Sequence, residues 1–285
     1  MSKQAQLSNY YRKVKSYITL PSKTSYYDPS ILDFTASGEV GIRAMTGDDE
    51  ISLKNPDSLL NGECLRGVLL SCVDGLKKPE CLLTNDVDVI FAAIRHVTFK
   101  DGMTLECKCP SCSKKENYVI DYPQLLENID FLDEKYEVVL SNGLTIRVKP
   151  HTLSDQIDAL RVAFKQEKLR KLNNNDKTTE EERIKLISDT IKAMTALNYN
   201  MLSNSIMELY DVENNVLIKN TKETRKDVET LLHNVEKSDF DMICDKVNDI
   251  NKIGLRKEIT LQCKECKHSW EANLDVNPLN FSMAS

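Results

Sequence analysis

The chain has 285 residues, a formal net charge of −6 and nine cysteines, with 41% hydrophobic and 29% charged residues. This length has room for two domains and a sizeable core. The acidic balance argues against a broad phosphate-binding surface, because nucleic-acid-binding modules are usually basic. No run of 18 apolar residues could cross a membrane, and the N-terminus lacks the apolar centre of a secretion signal. An odd number of cysteines without an export signal fits a reducing cytoplasm.

The first 17 residues are predicted to form an N-terminal arm. Tyr10, Tyr11 and Tyr17 stand close to Arg12 in a polar, basic segment. Tyrosine and arginine are favoured at interfaces because they bury area yet keep polar groups. We therefore expect these four residues to bind a partner. A flexible tail, or tyrosines that cover helices of the same chain, are the alternatives.

The next elements are short and mixed in type. Pro21 and Pro29 make residues 18–31 extended and rich in turns, and residues 39–45 alternate like a strand. Thr46 precedes three acidic residues and predicts the start of a helix. Helical spacing of apolar residues predicts a buried helix over 57–74, and Thr84 is the predicted cap of the helix that follows.

The middle of the chain reads as one hairpin followed by charged helices. Asn142 and Gly143 predict a tight turn between two strands, because this pair tolerates positive φ. The remaining predictions are helices over 151–172, 182–202, 221–234 and 238–250, a small hairpin over 209–220, Thr152 or Ser154 as the cap of the first helix, and Ser238 as the cap of the last.

Two Cys-x-x-Cys pairs carry the clearest chemical signal in the chain. The first pair is Cys109 and Cys112, and the second is Cys263 and Cys266. Zinc takes four ligands in a tetrahedron, and a two-residue spacer lets one tight turn aim two thiolates at one metal. Cys107 or His268 could replace one ligand. The symmetric set of four cysteines predicts one structural zinc ion in a zinc ribbon.

The two pairs are far apart along the chain, since 150 residues separate Cys112 from Cys263. If both bind one metal, the intervening segment is a domain inserted into the ribbon, and closing so long a loop costs entropy only logarithmically. The predicted fold class is α+β, mostly helical, with a split four-cysteine zinc ribbon, a small β-hairpin and a large helical insertion. The predicted domains are the arm at 1–17, a core at 18–122 plus 255–285, and an insert at 123–254.

Motifs for catalysis are missing from the sequence. It contains no Gly-rich phosphate loop, no G-x-S-x-G and no H-E-x-x-H, and its four histidines are scattered. A zinc with four cysteine ligands has no open coordination position. We therefore predict no enzymatic activity and no small-molecule substrate.

A zinc-ribbon nucleic-acid-binding or transcription-associated factor is the alternative function. Ribbons in transcription proteins look alike locally, and basic residues surround both cysteine pairs. Those residues have another role available, since they offset the −2 charge of four thiolates around zinc. They are Arg95, Lys108, Lys114, Lys115, Lys264 and Lys267.

The order of several short segments resembles the T4-like phage baseplate hub family. The resemblance is good over residues 18–122, continues in the second cysteine pair and is weak over 151–250. The segments are Thr19 to Lys23, Tyr27 to Ile31, Ile42 to Glu50, Gly62 to Leu65, Val68 to Cys72, Leu83 to Asp86, Ile94 with Arg95, and the Cys109-Pro110-Ser111-Cys112 loop.

The resemblance implies a role in building the central hub of a contractile tail. Such proteins act as hub subunits or as assembly factors for the hub and the tape-measure protein, and the sequence does not separate these roles. The implied partners are other baseplate hub proteins and the tape-measure protein. The implied location is the host cytoplasm during assembly and the baseplate of the virion.

Overall fold

The structure is a computed structural model of the whole chain, and it describes residues 11–55, 62–99, 103–173 and 180–274. Helices and short strands alternate along the chain. The helices are α1 (Gly47–Leu53), α2 (Glu63–Cys72), α3 (Thr84–Thr98), α4 (Tyr122–Glu127), α5 (Leu153–Asn173), α6 (Glu180–Ser205), α7 (Arg225–Asn234) and α8 (Lys237–Asn251). The strands are β1 (Ser16–Ile18), β2 (Val40–Ile42), β3 (Met103–Lys108), β4 (Lys115–Ile120), β5 (Tyr136–Val139), β6 (Thr145–Val148), β7 (Ile206–Tyr210), β8 (Val216–Lys219), β9 (Glu258–Gln262) and β10 (Ser269–Asn273).

The strands described form small antiparallel sheets. β1 pairs with β2, β3 with β4, and β9 with β10, each as a separate two-stranded sheet. A four-stranded sheet has the order β5-β6-β7-β8. The fold is therefore mixed, with eight helices in the described residues and small sheets.

Contacts divide the chain into two compact units. Unit 1 contains the described residues up to Pro79, then Asn85–Leu132, and those from Ile253 onward. Unit 2 contains Glu80–Thr84 and Asp133–Lys252. Unit 1 thus carries both cysteine pairs, and the larger segment of unit 2, Asp133–Lys252, lies between them in sequence. That the chain folds as separate domains with boundaries at residues 17, 122 and 254 remains a prediction.

The core of unit 1 lies around α2 and α3. Side chains less than 2% exposed include Leu20, Leu32, Ile42, Leu69, Ile90 and Ile94. The predicted start of α1 is confirmed: Thr46 accepts a bond from the Asp49 N–H, and the Asp49 side chain accepts from the Thr46 N–H. This reciprocal pair satisfies donors that a helix start leaves free. The helix predicted over 57–74 appears as α2, and residues 57–61 lie outside the described residues.

The ends of the long insertion meet within unit 1. The Asp130 N–H donates to Gly254 O at 3.0 Å, and Ile129 forms a bridge with Leu255. Arg256 binds the Asp130 carboxylate through two nitrogens at 2.8 and 2.9 Å. The chain therefore leaves unit 1 and returns to it at neighbouring positions.

The hairpin predicted around Asn142 and Gly143 is confirmed, but it is only one part of a larger sheet. β5 and β6 pair around Asn142 and Gly143, and Gly143 has a φ of +85°. The second predicted hairpin, β7 and β8, joins the first through β6 and β7. The buried face of this sheet includes Ile146 and Ile206, at 0% and 1% exposure. One sheet, rather than a small hairpin, is the centre of unit 2.

The outward face of this sheet carries a charged row across its strands. Glu137, Arg147, Glu208 and Lys219 are neighbours in the register. Arg147 contacts Glu208 at 3.0 Å, and Lys219 contacts Glu208 at 3.5 Å. Alternating signs make cross-strand pairs favourable rather than repulsive.

Two helix caps test the predictions for unit 2. Thr152 caps α5: its hydroxyl oxygen accepts from the Asp155 N–H at 3.4 Å, and Asp155 Oδ2 accepts from the Thr152 N–H at 2.8 Å. The prediction that Ser238 caps α8 is wrong. The helix begins at Lys237 with Glu236 as N-cap, because only two residues connect it to α7. The Ser238 position therefore lies inside the first turn.

Candidate metal centre

The loop between β3 and β4 carries the first cysteine pair. The Cys109 N–H donates to Lys114 O at 2.8 Å, and Cys109 O accepts from the Ser113 N–H at 2.9 Å. Ser113 has a φ of 61°, in the left-handed region that non-glycine residues seldom adopt. These bonds close a tight turn around Cys109 and Cys112.

The loop between β9 and β10 repeats this geometry. The Cys263 N–H donates to His268 O at 2.9 Å, and Cys263 O accepts from the Lys267 N–H at 3.0 Å. Lys267 has a φ of 60°, at the same place in the loop as the left-handed residue of the first pair. Two different sequences thus adopt one backbone conformation, whose shared feature is the Cys-x-x-Cys spacing.

The two loops bring four sulfur atoms together. The Sγ atoms of Cys109 and Cys266 lie 3.6 Å apart, and those of Cys112 and Cys263 lie 3.7 Å apart. All four Sγ atoms lie within 4.8 Å of one another. Four thiolates bound at about 2.3 Å to one tetrahedral centre would be roughly 3.8 Å apart. The cluster is therefore compatible with a metal site.

Burial differs within each pair in the same way. Cys109 and Cys263, the first cysteine of each loop, are buried, whereas Cys112 and Cys266 are exposed. All nine cysteines lie among the described residues, and none of them forms a disulfide bond. The centre thus has one protected side and one side that faces solvent.

The sulfurs of the first loop influence each other's ionisation. Desolvation opposes ionisation of Cys109, but the N–H groups of Cys112 and Ser111 point at its sulfur and lower its pKa to about 7. The Lys114 N–H favours ionised Cys112, yet desolvation and the neighbouring sulfurs outweigh it and raise that pKa to about 12. One thiolate thus forms readily and makes the next one costly, a repulsion that a bound cation would relieve.

Contacts between the two hairpins hold the loops face to face. Glu116 Oε2 accepts from the Lys264 N–H at 3.1 Å, which lowers the Glu116 pKa. The Tyr118 ring meets the Trp270 ring edge to face, with 5.9 Å between centroids. Burial, followed by the bond to Glu116, raises the Tyr118 pKa to about 12. Sequence reasoning did not identify these contacts, and alternation along the strands was the only signal for them.

Two lysines beside the cluster are paired with carboxylates, one across the two hairpins and one within the first hairpin. Lys114 forms an ion pair with Glu265, and Lys115 contacts Glu106 at 2.6 Å. These pairs reduce the positive charge that the loops offer to an outside anion.

The two alternative ligands lie outside the group of four sulfurs. Cys107 is on β3 opposite Glu116, and partial burial raises its pKa. His268 is exposed, and its ring stacks on Trp270 with 6.3 Å between centroids. The close group consists of Cys109, Cys112, Cys263 and Cys266.

The predicted partner-binding residues divide into two kinds. Tyr11 and Tyr17 are 61% and 55% exposed. Arg12 instead binds its own unit, donating to Ala44 O at 2.6 Å and Ser71 O at 2.8 Å. Tyr10 lies outside the described residues.

Arg12 and the strand after it attach the predicted arm to unit 1. Arg12 also contacts the Asp49 carboxylate at 3.2 Å. The Lys15 N–H donates to Ile42 O at 2.8 Å, next to the β1–β2 pairing. Residues from Arg12 onward are therefore part of unit 1, with the exposed tyrosines on its surface.

A histidine and a serine in unit 2 lie as close together as the histidine and serine of a catalytic pair. Unlike a catalytic serine, however, this serine is not accessible to a substrate. His151 Nδ1 and Ser205 Oγ lie 2.9 Å apart, and burial lowers the His151 pKa. Ser205 has no exposed surface, so a substrate cannot reach its hydroxyl. The Lys149 N–H also donates to Ser205 O, and the group connects β6 to the end of α6.

Comparison with known proteins gives one family. The model of the T4 bacteriophage base plate protein family matches residues 18–279. The chain belongs to this base plate family. The match includes both cysteine pairs and the insertion between them, and it begins directly after the predicted N-terminal arm at 1–17. No curated protein and no solved structure gave a match.

Membership of the base plate family indicates a structural role in the phage tail. In the part of the chain that the structure describes, none of the helices has the length and apolar character needed to cross a membrane.

Proposed function

We propose that this base plate family protein acts without catalysis in assembly of the central hub of the phage tail. The family match over residues 18–279 carries the proposal. In this role the chain is a hub subunit or an assembly chaperone, and its partners are other hub proteins and the tape-measure protein. It would act in the host cytoplasm during assembly and could remain in the baseplate of the virion.

The four-cysteine cluster is proposed to hold one structural zinc ion, which completes a split zinc ribbon. The sulfur separations of 3.6 and 3.7 Å and the matching loops support this ligand set. Zinc favours thiolate ligands, and four of them leave no position for a substrate. The ion would therefore hold the two ends of unit 1 together around the insertion, not catalyse a reaction.

The exposed tyrosines are proposed as the partner-binding part of the N-terminal arm. Tyr11 and Tyr17 present large rings to solvent. In this proposal Arg12 fixes the position of the two tyrosines, because it donates hydrogen bonds to Ala44 O and Ser71 O. Tyr10 belongs to the same proposed surface by its position in sequence.

Metal analysis of the purified protein tests the zinc site. The native chain and a Cys107→Ser control are expected to contain about one zinc per chain. Cys109→Ser and Cys263→Ser are each expected to lose it and to melt at lower temperature, because structural zinc is strongly coupled to folding. A native preparation that is free of metal and folds normally would refute the zinc proposal.

Pull-down from infected cells tests the hub role. Phage that encode a tagged chain are expected to yield tail hub proteins with it, and a Tyr11→Ala, Tyr17→Ala double variant is expected to yield fewer. Mass spectrometry of purified virions then distinguishes a permanent subunit from an assembly factor. Recovery of nucleic acid without tail proteins would favour the nucleic-acid-binding alternative, which should then show steep salt dependence.

A further inference from the structure

Both helices of the α5–α6 hairpin in unit 2 carry exposed apolar side chains. On α5, Leu160 and Phe164 are 40% and 48% exposed. On α6, Ile187, Ile191 and Met194 are 53%, 58% and 44% exposed. We call these five residues the hairpin stripe. Single exposed apolar residues are normal, whereas several at helical spacing on two helices that pack together indicate an interaction site.

The spacing of the stripe is that of a helix-packing seam. The α6 members follow one another at intervals of four and three residues, which places them on one helix face. The α5 members are four residues apart. They continue a row that begins at Leu153 and Ile157, which are 0% and 1% exposed. The apolar row thus leaves the core of unit 2 and continues onto its surface.

Two helices alone bury only part of such a row. Each helix in a four-helix bundle packs its apolar face against two neighbours, and a hairpin supplies one neighbour for each helix. A second hairpin of the same kind would supply the others. We propose that two copies of this chain associate through the hairpin stripe and complete a four-helix arrangement.

Charge and size near the stripe both suit a second copy. Asp158 pairs with Arg161 at 2.9 Å, and Asp189 lies between the exposed Lys185 and Lys192. This mixture of signs does not repel an identical surface, although the whole chain carries −6. Five large side chains, each about half exposed, offer on the order of 400 Å² of apolar surface. That is near the apolar share of a standard interface of roughly 800 Å² per partner.

Analytical ultracentrifugation of the full-length, metal-loaded protein tests the proposal. The native protein is expected to have a molecular mass in solution of twice the 32.5 kDa of one chain. Ile191→Lys is expected to weaken dimerisation at least about tenfold, because the interface would bury an unpaired charge. Ile51→Lys is the matched control, since Ile51 is an exposed isoleucine on α1 of unit 1. It should leave the dimer unchanged.

Each other outcome counts against the pairing of two copies. A native chain that stays monomeric at about 100 μM, well above the range of specific interfaces, overturns it. A dimer that persists in Ile191→Lys places the interface elsewhere. A monomeric native chain that retains a tail protein in pull-downs, while Ile191→Lys loses it, assigns the stripe to a helix of another protein. Circular dichroism confirms that the variants keep their helices.

Discussion

Asp86 is a fully buried carboxylate in the first turn of α3. It accepts a bond from the Ser22 N–H at 2.9 Å and one from the Tyr27 hydroxyl. Desolvation outweighs these two bonds and raises its pKa from 3.8 to about 6. Asp86 therefore ties the turn-rich segment before β2 to the core of unit 1, and it does so at an electrostatic cost when ionised.

This cost predicts how stability changes with pH. The folded-state pKa of Asp86 lies above its unfolded value, so the folded protein binds the proton more tightly. At pH 7.5 ionised Asp86 costs on the order of 3 kcal/mol, and the cost disappears as the pH falls through 6 towards 4. As the pH falls from 7.5 towards 4, the native chain should therefore become more stable relative to the Asp86→Asn variant.

Urea unfolding of both proteins at several pH values measures this difference. His151 also titrates, with its pKa lowered by burial, but it is present in both proteins and cancels in the comparison. Parallel stability profiles for the two proteins would show that Asp86 does not titrate in this range.

The four cysteines that come together could be picked out from sequence, because Cys-x-x-Cys spacing reflects coordination chemistry. The roles of Arg12, Tyr118 and Trp270 could not. Arg12 donates hydrogen bonds to the carbonyl groups of Ala44 and Ser71, which are 32 and 59 residues away along the chain. Nothing local distinguishes an arginine that binds distant carbonyl groups from one that stays in solvent. Such residues are fixed by tertiary structure.

At the scale of elements, the side chains of β1 and of the residues just before it alternate between more buried and more exposed positions. Ile18 is buried, Tyr17 is exposed, and Arg12 is half-buried beside Asp49. Arg12→Ala should destabilise the protein by about 2 kcal/mol, because it leaves partly buried acceptors without a donor. Tyr17→Ala should change stability by less than about 0.5 kcal/mol.

The same two variants separate packing from partner binding. Chemical denaturation gives the stabilities, and pull-down from infected cells gives the binding. Tyr17→Ala should lower binding without affecting folding. Equal losses of stability in both variants would mean that Tyr17 also packs on its own unit.

The hairpins of this protein were predicted well, and the sheet that joins two of them was not. β5 and β6 are joined by a short turn whose Asn142 and Gly143 identify it. β6 and β7 pair although α5 and α6 lie between them, so no turn residue marks their register. Local turn chemistry predicts pairing between neighbours in sequence, whereas distant strands pair because their buried faces fit one core.

At the scale of the whole molecule, the insertion begins and ends at neighbouring points of unit 1. We expect that residues 133–252 can be replaced by a Gly-Ser linker of about four residues without loss of the proposed metal site, because Asp130 and Gly254 are already hydrogen-bonded. The shortened protein should bind about one zinc and unfold cooperatively, and metal analysis with calorimetry checks both. Loss of metal binding would show that unit 2 is needed to form the site.

The long separation between the two cysteine pairs along the chain also sets an order of events during synthesis. When Cys112 is added to the growing chain, 150 residues are still to be made before Cys263. At about 5–20 residues per second, that interval is roughly 8–30 s. During this time the first pair offers only two thiolates to a metal, and unit 2 can fold. Completion of the proposed metal site would therefore wait until Cys266 has been translated and has left the ribosome.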